Sequence, residues 1–317
     1  MKPSLLVLIY LSEMHRDRVS QHFELIYAPN DDLGKDRSNG TAQLNQYGKD
    51  IRVVLTNGTN GLLPAEIDAM PNLEIICTLG VGYENVALEY AKSRGIRVCN
   101  GAGTNDDCVA DHAMGILIAA VRRIPLLNAG VRNGMWRDDI PRPPNFSFKK
   151  MGILGMGGVG RKIAKRAKGF ELEVGYFSRS RHDETGYRYF DTLVGLAQWC
   201  DYLVVAAPGG QSTLHIVNAQ ILKVLGSNGV LVNISRGSLV DTQAVANALQ
   251  EKSIAAVALD VYESEPTPPK ALLKFENAIL TPHVAGTSPE AIDAVVQRFI
   301  DNANRHFSGE ALLTPID

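Results

Sequence analysis

The chain is poor in cysteine, in tryptophan and in long apolar runs, and each shortage excludes a class of protein. Only 4 of its 317 residues are cysteine and 2 are tryptophan. Cys77, Cys99, Cys108 and Cys200 have neither CxxC nor metal-knuckle spacing, so we predict reduced thiols and no cysteine metal site. No apolar run approaches the roughly 18 residues that cross a membrane. These shortages predict a cytoplasmic protein with no membrane partner.

A surplus of charge of one sign is also absent. Lys and Arg number 32 and Asp and Glu 34, which leaves a formal net charge of −2. This balance argues against a nucleic-acid-binding protein. Apolar residues make up 45% of the chain and charged residues 21%, which is typical of a globular rather than a disordered protein. The length predicts about two domains, which need neither disulfides nor a metal to hold a core.

Short apolar runs rich in β-branched residues alternate with helical patterns along most of the chain. The predicted strands are 5–10, 51–56, 73–79, 96–100, 151–156, 173–178, 202–208, 230–235, 255–262 and 278–281. Near-continuous apolar strands of this kind predict parallel sheets covered by helices on both faces, which is an α/β fold. One long helix is expected over 107–131, with a kink at Pro125, and a last helix over 289–306. The proline-rich segment 140–145 is interpreted as a linker.

The segment 151–161 reads as a buried strand, a G-x-G-x-x-G loop and the start of an amphipathic helix. Gly155 would allow the tight turn, Gly157 would let a pyrophosphate approach the backbone, and Gly160 would let helix and strand pack closely. The helix N-terminus offers free N–H groups and partial positive charge to the phosphates. In this context the motif predicts a dinucleotide site. Its expected contacts are Gly155, Met156, Gly157, Gly158, Val159 and Gly160.

The next strand ends without the acidic residue that typically binds the ribose hydroxyls of NAD. Ser178, Arg179 and Ser180 stand there instead. Serine hydroxyls can donate hydrogen bonds to a phosphate, and the guanidinium adds positive charge and can stack on adenine. The sequence therefore predicts NADP(H) in preference to NAD(H). The alternative is a solvent-exposed basic loop without a ligand.

Three further motifs follow predicted strands in the same half of the chain. Arg236 follows one strand and precedes a glycine, which points it towards the crevice where open α/β sheets bind ligands, and its planar fork suits a carboxylate. His283 follows the last strand and is the natural acid/base, because its unperturbed pKa lies near neutrality. A carboxylate in contact with the imidazole would raise that pKa, and Glu265 is the expected partner. Each residue has a structural explanation when taken singly, but their order after a cofactor loop favours catalysis.

At this point the chain resembles the D-isomer-specific 2-hydroxyacid dehydrogenase family, and most closely its NADP-dependent glyoxylate/hydroxypyruvate reductases. The resemblance runs nearly end to end and is carried by 79–86, 109–113, 155–160, 178–180, 234–237, 259–262, Glu265-Pro266 and Pro282-His283. It implies two Rossmann-like, doubly wound parallel-sheet domains with an interdomain cleft. Residues 1–100 and 287–317 would form the substrate domain and residues 101–286 the NADP-binding domain. It also implies a homodimer.

The resemblance further implies a reaction and a role for the three polar residues. The reaction is NADPH-dependent reduction of small 2-keto acids, glyoxylate and hydroxypyruvate first, to D-2-hydroxy acids. Arg236 would bind the substrate carboxylate and polarise the keto oxygen. His283 would deliver the proton, and Glu265 would keep His283 charged. Because the seven histidines show no acid-flanked i, i+4 pair, we expect no catalytic metal.

Other positions take their expected roles from the same resemblance. The N–H groups of Val81 and Gly82 would bind the substrate carboxylate, and Asn57 and Gly58 would line the same cleft. The remaining expected cofactor contacts are Pro208, Thr213, Ile234, Arg236, Asp260, His283 and Ala285. Trp136 would either reach the partner subunit's substrate cleft or pack in a subunit interface.

Some positions depart from the family pattern or receive no role. At 105–108 the chain has Asn-Asp-Asp-Cys where the common pattern has an apolar residue followed by Thr, and no cofactor contact is assigned there. His112 is interpreted as structural, and His215 and His306 have no expected partner. Two other functions stay open. One is reduction of bulkier aromatic keto acids such as phenylpyruvate, and the other is a non-enzymatic, dinucleotide-sensing corepressor of the same fold.

Overall fold

In a computed structural model, which describes residues 2–31, 35–139 and 142–316, the chain forms two compact units. The first comprises Met1–Asn105 with Thr287–Asp317, and the second comprises Asp106–Gly286. The boundary between the units falls after Asn105, five residues later than the boundary predicted from the sequence. The N–H of Gly101 donates to Gly80 O at 2.6 Å and Arg298 donates to Ala102 O at 2.9 Å, and these bonds tie the intervening segment to the first unit.

The first unit is built on a five-stranded sheet of order β2-β1-β3-β4-β5, in which the registered pairs are parallel. Its strands are β1 Ser4–Val7, β2 Glu24–Tyr27, β3 Ile51–Thr56, β4 Ile75–Thr78 and β5 Arg97–Cys99. Its helices are α1 Glu13–Ser20, α2 Ser38–Tyr47, α3 Pro64–Asp68, α4 Leu88–Ser93 and α11 Pro289–Phe307. Successive strand side chains enter opposite faces, so Leu5 and Val7 pack with α11 while Leu6 and Leu8 join the core under α2, α3 and α4.

The second unit contains a seven-stranded sheet of order β12-β11-β10-β9-β6-β7-β8, again with parallel pairs. Its strands are β6 Lys150–Leu154, β7 Glu173–Phe177, β8 Arg188–Tyr189, β9 Tyr202–Val205, β10 Val230–Asn233, β11 Ala256–Leu259 and β12 Ala278–Leu280. Its helices are α5 Asp106–Val121, α6 Ile124–Arg132, α7 Gly158–Lys168, α8 Leu193–Trp199, α9 Ala219–Leu225 and α10 Thr242–Gln250. The strand order reverses between β6 and β9. Open α/β sheets bind ligands outside the carboxyl ends of strands at such a point.

The helices of the second unit cover both faces of its sheet. One core cluster contains α5 and α7 residues such as Leu117 and Ile163, and the other contains residues of α8, α9 and α10 such as Leu196, Ile221 and Val245. The predicted doubly wound parallel sheets are therefore confirmed.

The helix predicted over 107–131 is divided into two helices, and the expected kink near Pro125 is the break between them. α5 ends at Val121 and α6 begins at Ile124, with a 60° bend between them. Pro125 has no N–H to donate to the Val121 carbonyl, and its ring would clash with that carbonyl if the helix continued. The break therefore falls before the proline, at Arg123, whose φ of 52° is left-handed.

Two short strands, β2 and β8, are absent from the sequence-based prediction. Both are short edge strands, of four and two residues, with partly exposed side chains. Of the expected linker, residues 142–145 have no regular structure, whereas Ile140 and Pro141 lie outside the described residues. Within the described ranges no single helix is long and apolar enough to cross a membrane, and only α5 and α6 taken together, across their bend, reach that length and apolarity.

Candidate active site

The loop after β12 carries His283 in a constrained backbone conformation. The φ of His283 is 54°, a left-handed value that residues other than glycine adopt only where their surroundings impose it. The His283 N–H donates to Asp260 O at 2.8 Å. The next two N–H groups, of Val284 and Ala285, donate to the Asp260 carboxylate at 3.0 and 2.9 Å. Asp260, fully buried just after β11, therefore holds the loop that presents the imidazole.

The imidazole of His283 is paired with Glu265. Its Nδ1 lies 2.8 Å from Glu265 Oε2, and Glu265 Oε1 accepts from the Tyr262 N–H at 2.7 Å. The hydrogen bond to Glu265 raises the pKa of His283. Burial acts to raise the pKa of Glu265, but the hydrogen bonds from His283 and from the Tyr262 N–H lower it overall. The expected pair is present, and it leaves Nε2 of a half-exposed ring for proton exchange.

Arg236 lies near this pair, at the carboxyl end of β10. The buried Asn233 braces the turn, because its side chain donates to Arg236 O at 2.8 Å and accepts from the Ser235 N–H at 3.1 Å. The next residue must be glycine, since a Cβ at Gly237 would collide with the Tyr262 backbone. Glu265 has the larger influence on the pKa of His283, but the charge of Arg236 acts to lower it. The structure thus brings Arg236, Glu265 and His283 into one electrostatic cluster.

A partly buried network behind this cluster was not predicted from the sequence. Thr281 Oγ1 donates to Asp260 Oδ1 at 2.6 Å, and His112 Nε2 lies 2.9 Å from Thr281 Oγ1 and 3.5 Å from Asp260 Oδ1. His112, interpreted from sequence as structural, thus contacts the groups that hold the His283 loop. The only sequence signal for Thr281 was a polar residue at the end of an apolar strand.

The prediction that His215 lacks a partner is wrong. Its Nε2 lies 2.5 Å from Glu263 Oε1, and the other oxygen of Glu263 accepts from the Thr242 N–H at the start of α10. His306 likewise lies 3.3 Å from Glu74. Local sequence patterns cannot predict partners that lie so far apart along the chain.

The glycine loop has the geometry that a dinucleotide requires. Gly155 has a φ of 99°, and a Cβ at Gly160 would collide with the Gly155 carbonyl, so both positions require glycine. A Cβ at Gly157 would meet nothing within 4 Å, which leaves open space beside the backbone. In the same loop Met156 is buried and Val159 is half-buried.

The N-terminus of α7 has unused hydrogen-bond donors. No side chain caps it, and the N–H groups of Gly158, Val159 and Gly160 find no acceptor in the part of the chain that the structure describes. By contrast, Thr192, Asn218 and Asp241 cap α8, α9 and α10. Free donors at the positive end of a helix fit the phosphates of a dinucleotide, and these residues would hold them.

The loop after β7 contains the residues expected at the cofactor's ribose. Ser178 Oγ donates to Ser180 O at 2.6 Å, while Arg179 is exposed and forms no ion pair with any described residue. The nearest acids along the chain are already paired, Asp183 with Arg181 and Glu184 with Arg161, each at 2.5 Å.

The remaining expected cofactor contacts lie along the carboxyl ends of the strands. Thr213 Oγ1 donates to Pro208 O at 3.1 Å after β9, and Ile234 follows β10. The carbonyl of the buried Ala285 accepts from the Cys108 thiol at 2.9 Å. Trp136, by contrast, is 66% exposed in the segment after α6.

The substrate residues expected in the first unit are also brought together. A Cβ at Gly58 would approach the Gly82 carbonyl carbon to 2.8 Å, so the two loops touch through their backbones. Asn57 Oδ1 accepts from the Asn60 N–H at 2.7 Å, and Asn100 donates to Val81 O at 2.8 Å. These bonds fix the two loops.

Comparison with known proteins agrees with this geometry. The family profile of the D-isomer specific 2-hydroxyacid dehydrogenase NAD-binding domain matches residues 114–285. The chain is 40% identical to glyoxylate/hydroxypyruvate reductase A of Arabidopsis thaliana, over 86% of this chain and 88% of that protein. It is also 40% identical to hydroxyphenylpyruvate reductase of Plectranthus scutellarioides, over 84% of this chain and 85% of the relative.

A solved structure gives the same result. It is the NADPH-dependent glyoxylate/hydroxypyruvate reductase of Sinorhizobium meliloti in complex with NADP and malonate. It superposes with a TM-score of 0.86 at 36% identity, over 100% of this chain and 97% of the other. The fold, the glycine loop, the His283–Glu265 pair and these similarities lead to one conclusion: the chain is an oxidoreductase of the D-isomer-specific 2-hydroxyacid dehydrogenase family.

Proposed function

We propose that the chain is an NADPH-dependent reductase of small 2-keto acids, with glyoxylate and hydroxypyruvate as first substrates and D-2-hydroxy acids as products. The observation that carries this proposal is the 2.8 Å contact between His283 Nδ1 and Glu265 Oε2 within reach of the charge of Arg236. A proton donor, the carboxylate that keeps it charged and a cation for an acid are the groups this reaction requires.

Arg236, His283 and Glu265 have different roles in the proposed reaction. Bound NADPH supplies the hydride. Arg236 binds the substrate carboxylate through its planar fork and adds positive charge beside the keto oxygen. His283 donates the Nε2 proton to that oxygen as negative charge develops, and Glu265 stabilises the imidazolium beforehand. The negative charge on the keto oxygen develops on the way to the transition state. Arg236 and His283 therefore stabilise the transition state more than the ground state.

The two units take different parts in the proposal. The first unit is the substrate domain, in which the N–H groups of Val81 and Gly82, with Asn57 and Gly58, provide further substrate contacts. The second unit is the NADP-binding domain. Support for this division comes from the paired loops of the first unit and the uncapped α7 of the second.

Preference for NADPH over NADH rests on the loop after β7. Arg179 is available for an additional phosphate, and its neighbours Asp183 and Glu184 are neutralised by Arg181 and Arg161. An arginine with free donors suits a phosphate, whereas the ribose hydroxyls of NAD are typically bound by a carboxylate.

The proposal also includes a homodimer and a cytoplasmic location. Ile124 and Val131 on α6 are 48% and 56% exposed, and Trp136 follows them, so α6 and its extension present apolar side chains suited to a second copy. The four cysteines are free thiols, which suits a reducing compartment.

A second candidate is reduction of bulkier aromatic 2-keto acids. The relative named hydroxyphenylpyruvate reductase favours it, because it is as similar to this chain as the glyoxylate/hydroxypyruvate reductase.

A keto-acid panel with both nicotinamide cofactors tests the proposal. Initial rates are measured with glyoxylate, hydroxypyruvate, phenylpyruvate and hydroxyphenylpyruvate, each with NADPH and NADH, and the product's configuration is determined by chiral chromatography. We expect the highest kcat/KM with NADPH and the two small acids. Faster reduction of the aromatic acids would favour the second candidate, and equal kcat/KM with NADH would overturn the cofactor preference. NADPH binding without oxidation by any of the four acids would indicate a non-enzymatic sensor.

A further inference from the structure

Asp106, the first residue of α5, places its carboxylate against the glycine loop. A Cβ at Gly158 would collide with Asp106 Oδ2, and it would lie 3.3 Å from Oδ1. Both oxygens therefore lie over the first residue of α7, at the end of the helix where the unused N–H groups are found. The side chain of Asp106 is partly buried there.

This carboxylate forms no hydrogen bond or ion pair with any described residue, because the nearby cations are bound elsewhere. Lys162 of α7 donates to Asp107 at 2.8 Å. Arg166, one turn further along α7, bonds Asp107 at 3.1 Å and Asp111 at 2.5 Å. Burial raises the pKa of Asp106, while Lys162 acts to lower it and Asp107 acts to raise it. Asp106 is thus a poorly compensated carboxylate beside an anion-binding loop.

We propose that Asp106 sets the affinity for the dinucleotide by opposing the pyrophosphate with its negative charge. The inference rests on the proposed role of the glycine loop. The N–H groups of α7 attract a phosphate, whereas the carboxylate beside them repels it. Two like charges held close together near a protein surface change an equilibrium by roughly tenfold or more.

Protonation of Asp106 removes the repulsion between its carboxylate and the pyrophosphate. A neutral Asp106 carries no charge and can donate its proton to a phosphate oxygen. The complex therefore favours the protonated form, and dinucleotide binding tightens as pH falls through the pKa that Asp106 has in the complex. At neutral and higher pH the charge weakens binding and speeds dissociation, which assists release of the oxidised cofactor.

Calorimetric titration of the full-length protein with NADP⁺ tests the inference. Asp106→Asn removes the charge and keeps the shape, and Asp106→Ser removes the charge with a smaller side chain. Asp111→Asn is the matched control, because it removes the same charge from the same helix where the carboxylate is paired with Arg166. Each protein is titrated at about pH 8 and at a lower pH at which it is still folded, because the Asp106 carboxyl gains its proton as pH falls. Thermal melting of the unliganded proteins verifies folding.

We expect both Asp106 variants to bind NADP⁺ roughly tenfold more tightly than wild type at the higher pH. Asp111→Asn should change Kd by less than about twofold. The difference in the Kd for NADP⁺ between wild type and Asp106→Asn should become smaller at the lower pH. Equal or weaker binding by the Asp106 variants, an equal gain in Asp111→Asn, or a difference that does not depend on pH would overturn the inference. Failure of the wild type itself to bind NADP⁺ would overturn the proposed cofactor instead.

Discussion

At the scale of the residue, the neighbours of His283 decide the pH range in which it can donate a proton. The hydrogen bond to Glu265 raises the pKa of His283, and the positive charge of Arg236 acts in the opposite direction. The raised pKa keeps the imidazole protonated to higher pH than an isolated histidine. In the proposed reaction, reduction of the keto acid consumes that proton, so the rate should fall as pH rises through this pKa.

Glu265→Gln should move that decline to lower pH. The amide keeps the size of the side chain but loses the charge that stabilises the imidazolium, so the pKa of His283 falls. The kcat/KM for glyoxylate is measured against pH in the reductive direction. The matched control is Glu263→Gln, which makes the same change in the His215–Glu263 pair outside the cluster. Superimposable profiles for wild type and Glu265→Gln would contradict this account.

At the scale of the element, two glycines at the start of α7 have separate roles, Gly160 in packing and Gly157 in cofactor binding. Gly160→Ala should lower the free energy of unfolding by about 1–3 kcal/mol, because its Cβ collides with the Gly155 carbonyl. Gly157→Ala should leave stability nearly unchanged, since its Cβ meets no atom and its φ of −76° suits alanine. That Cβ projects into the space proposed for the pyrophosphate, so NADP⁺ binding should weaken roughly tenfold. Urea unfolding and calorimetry measure the two effects, and equal stability losses in both variants would refute the separation.

The hydroxyl of Thr281 helps to hold the loop after β12, because it donates to the Asp260 carboxylate that binds the loop. Thr281→Val removes the donor that joins Asp260 to His112 while nearly preserving volume. The buried carboxylate then lacks one partner, which should cost about 1–3 kcal/mol in the free energy of unfolding. The kcat should also fall while the KM for NADPH changes little, because the loop positions His283. Thr281→Ser, which keeps the hydroxyl, should restore most of the kcat; no recovery would show that the hydroxyl is not responsible.

The sequence predicted elements well where one physical cause dominates. Buried parallel strands such as β9 and β10 are continuous apolar runs, and the glycine loop follows from backbone sterics. The edge strands β2 and β8 were missed because they are short and partly exposed, so their formation depends on pairing with a neighbouring strand. The contacts of His215 and His112 join residues 48 and 169 positions apart, so only the fold brings them together. The same holds for Asp106, whose importance depends on where α5 packs against α7.

At the scale of the whole molecule, α6 should form part of a dimer interface. Val131→Glu places a charge among its exposed apolar side chains and should convert the dimer to a monomer. Met14→Glu is the matched control, because Met14 is 62% exposed on α1 of the other unit. Light scattering coupled to size-exclusion chromatography gives the mass directly. A monomeric wild type, or a dimer unaffected by Val131→Glu, would show that α6 has no such role.

The central claim is that His283 supplies the proton for NADPH-dependent reduction of a small 2-keto acid. Its most direct test is to measure, on the same preparations, kcat with glyoxylate and the Kd for NADPH in wild type and His283→Ala. We expect kcat to fall roughly 10²–10⁴-fold while the Kd for NADPH changes little, because the variant loses a proton donor but keeps the glycine loop. An unchanged kcat in His283→Ala would show that His283 is not the proton donor.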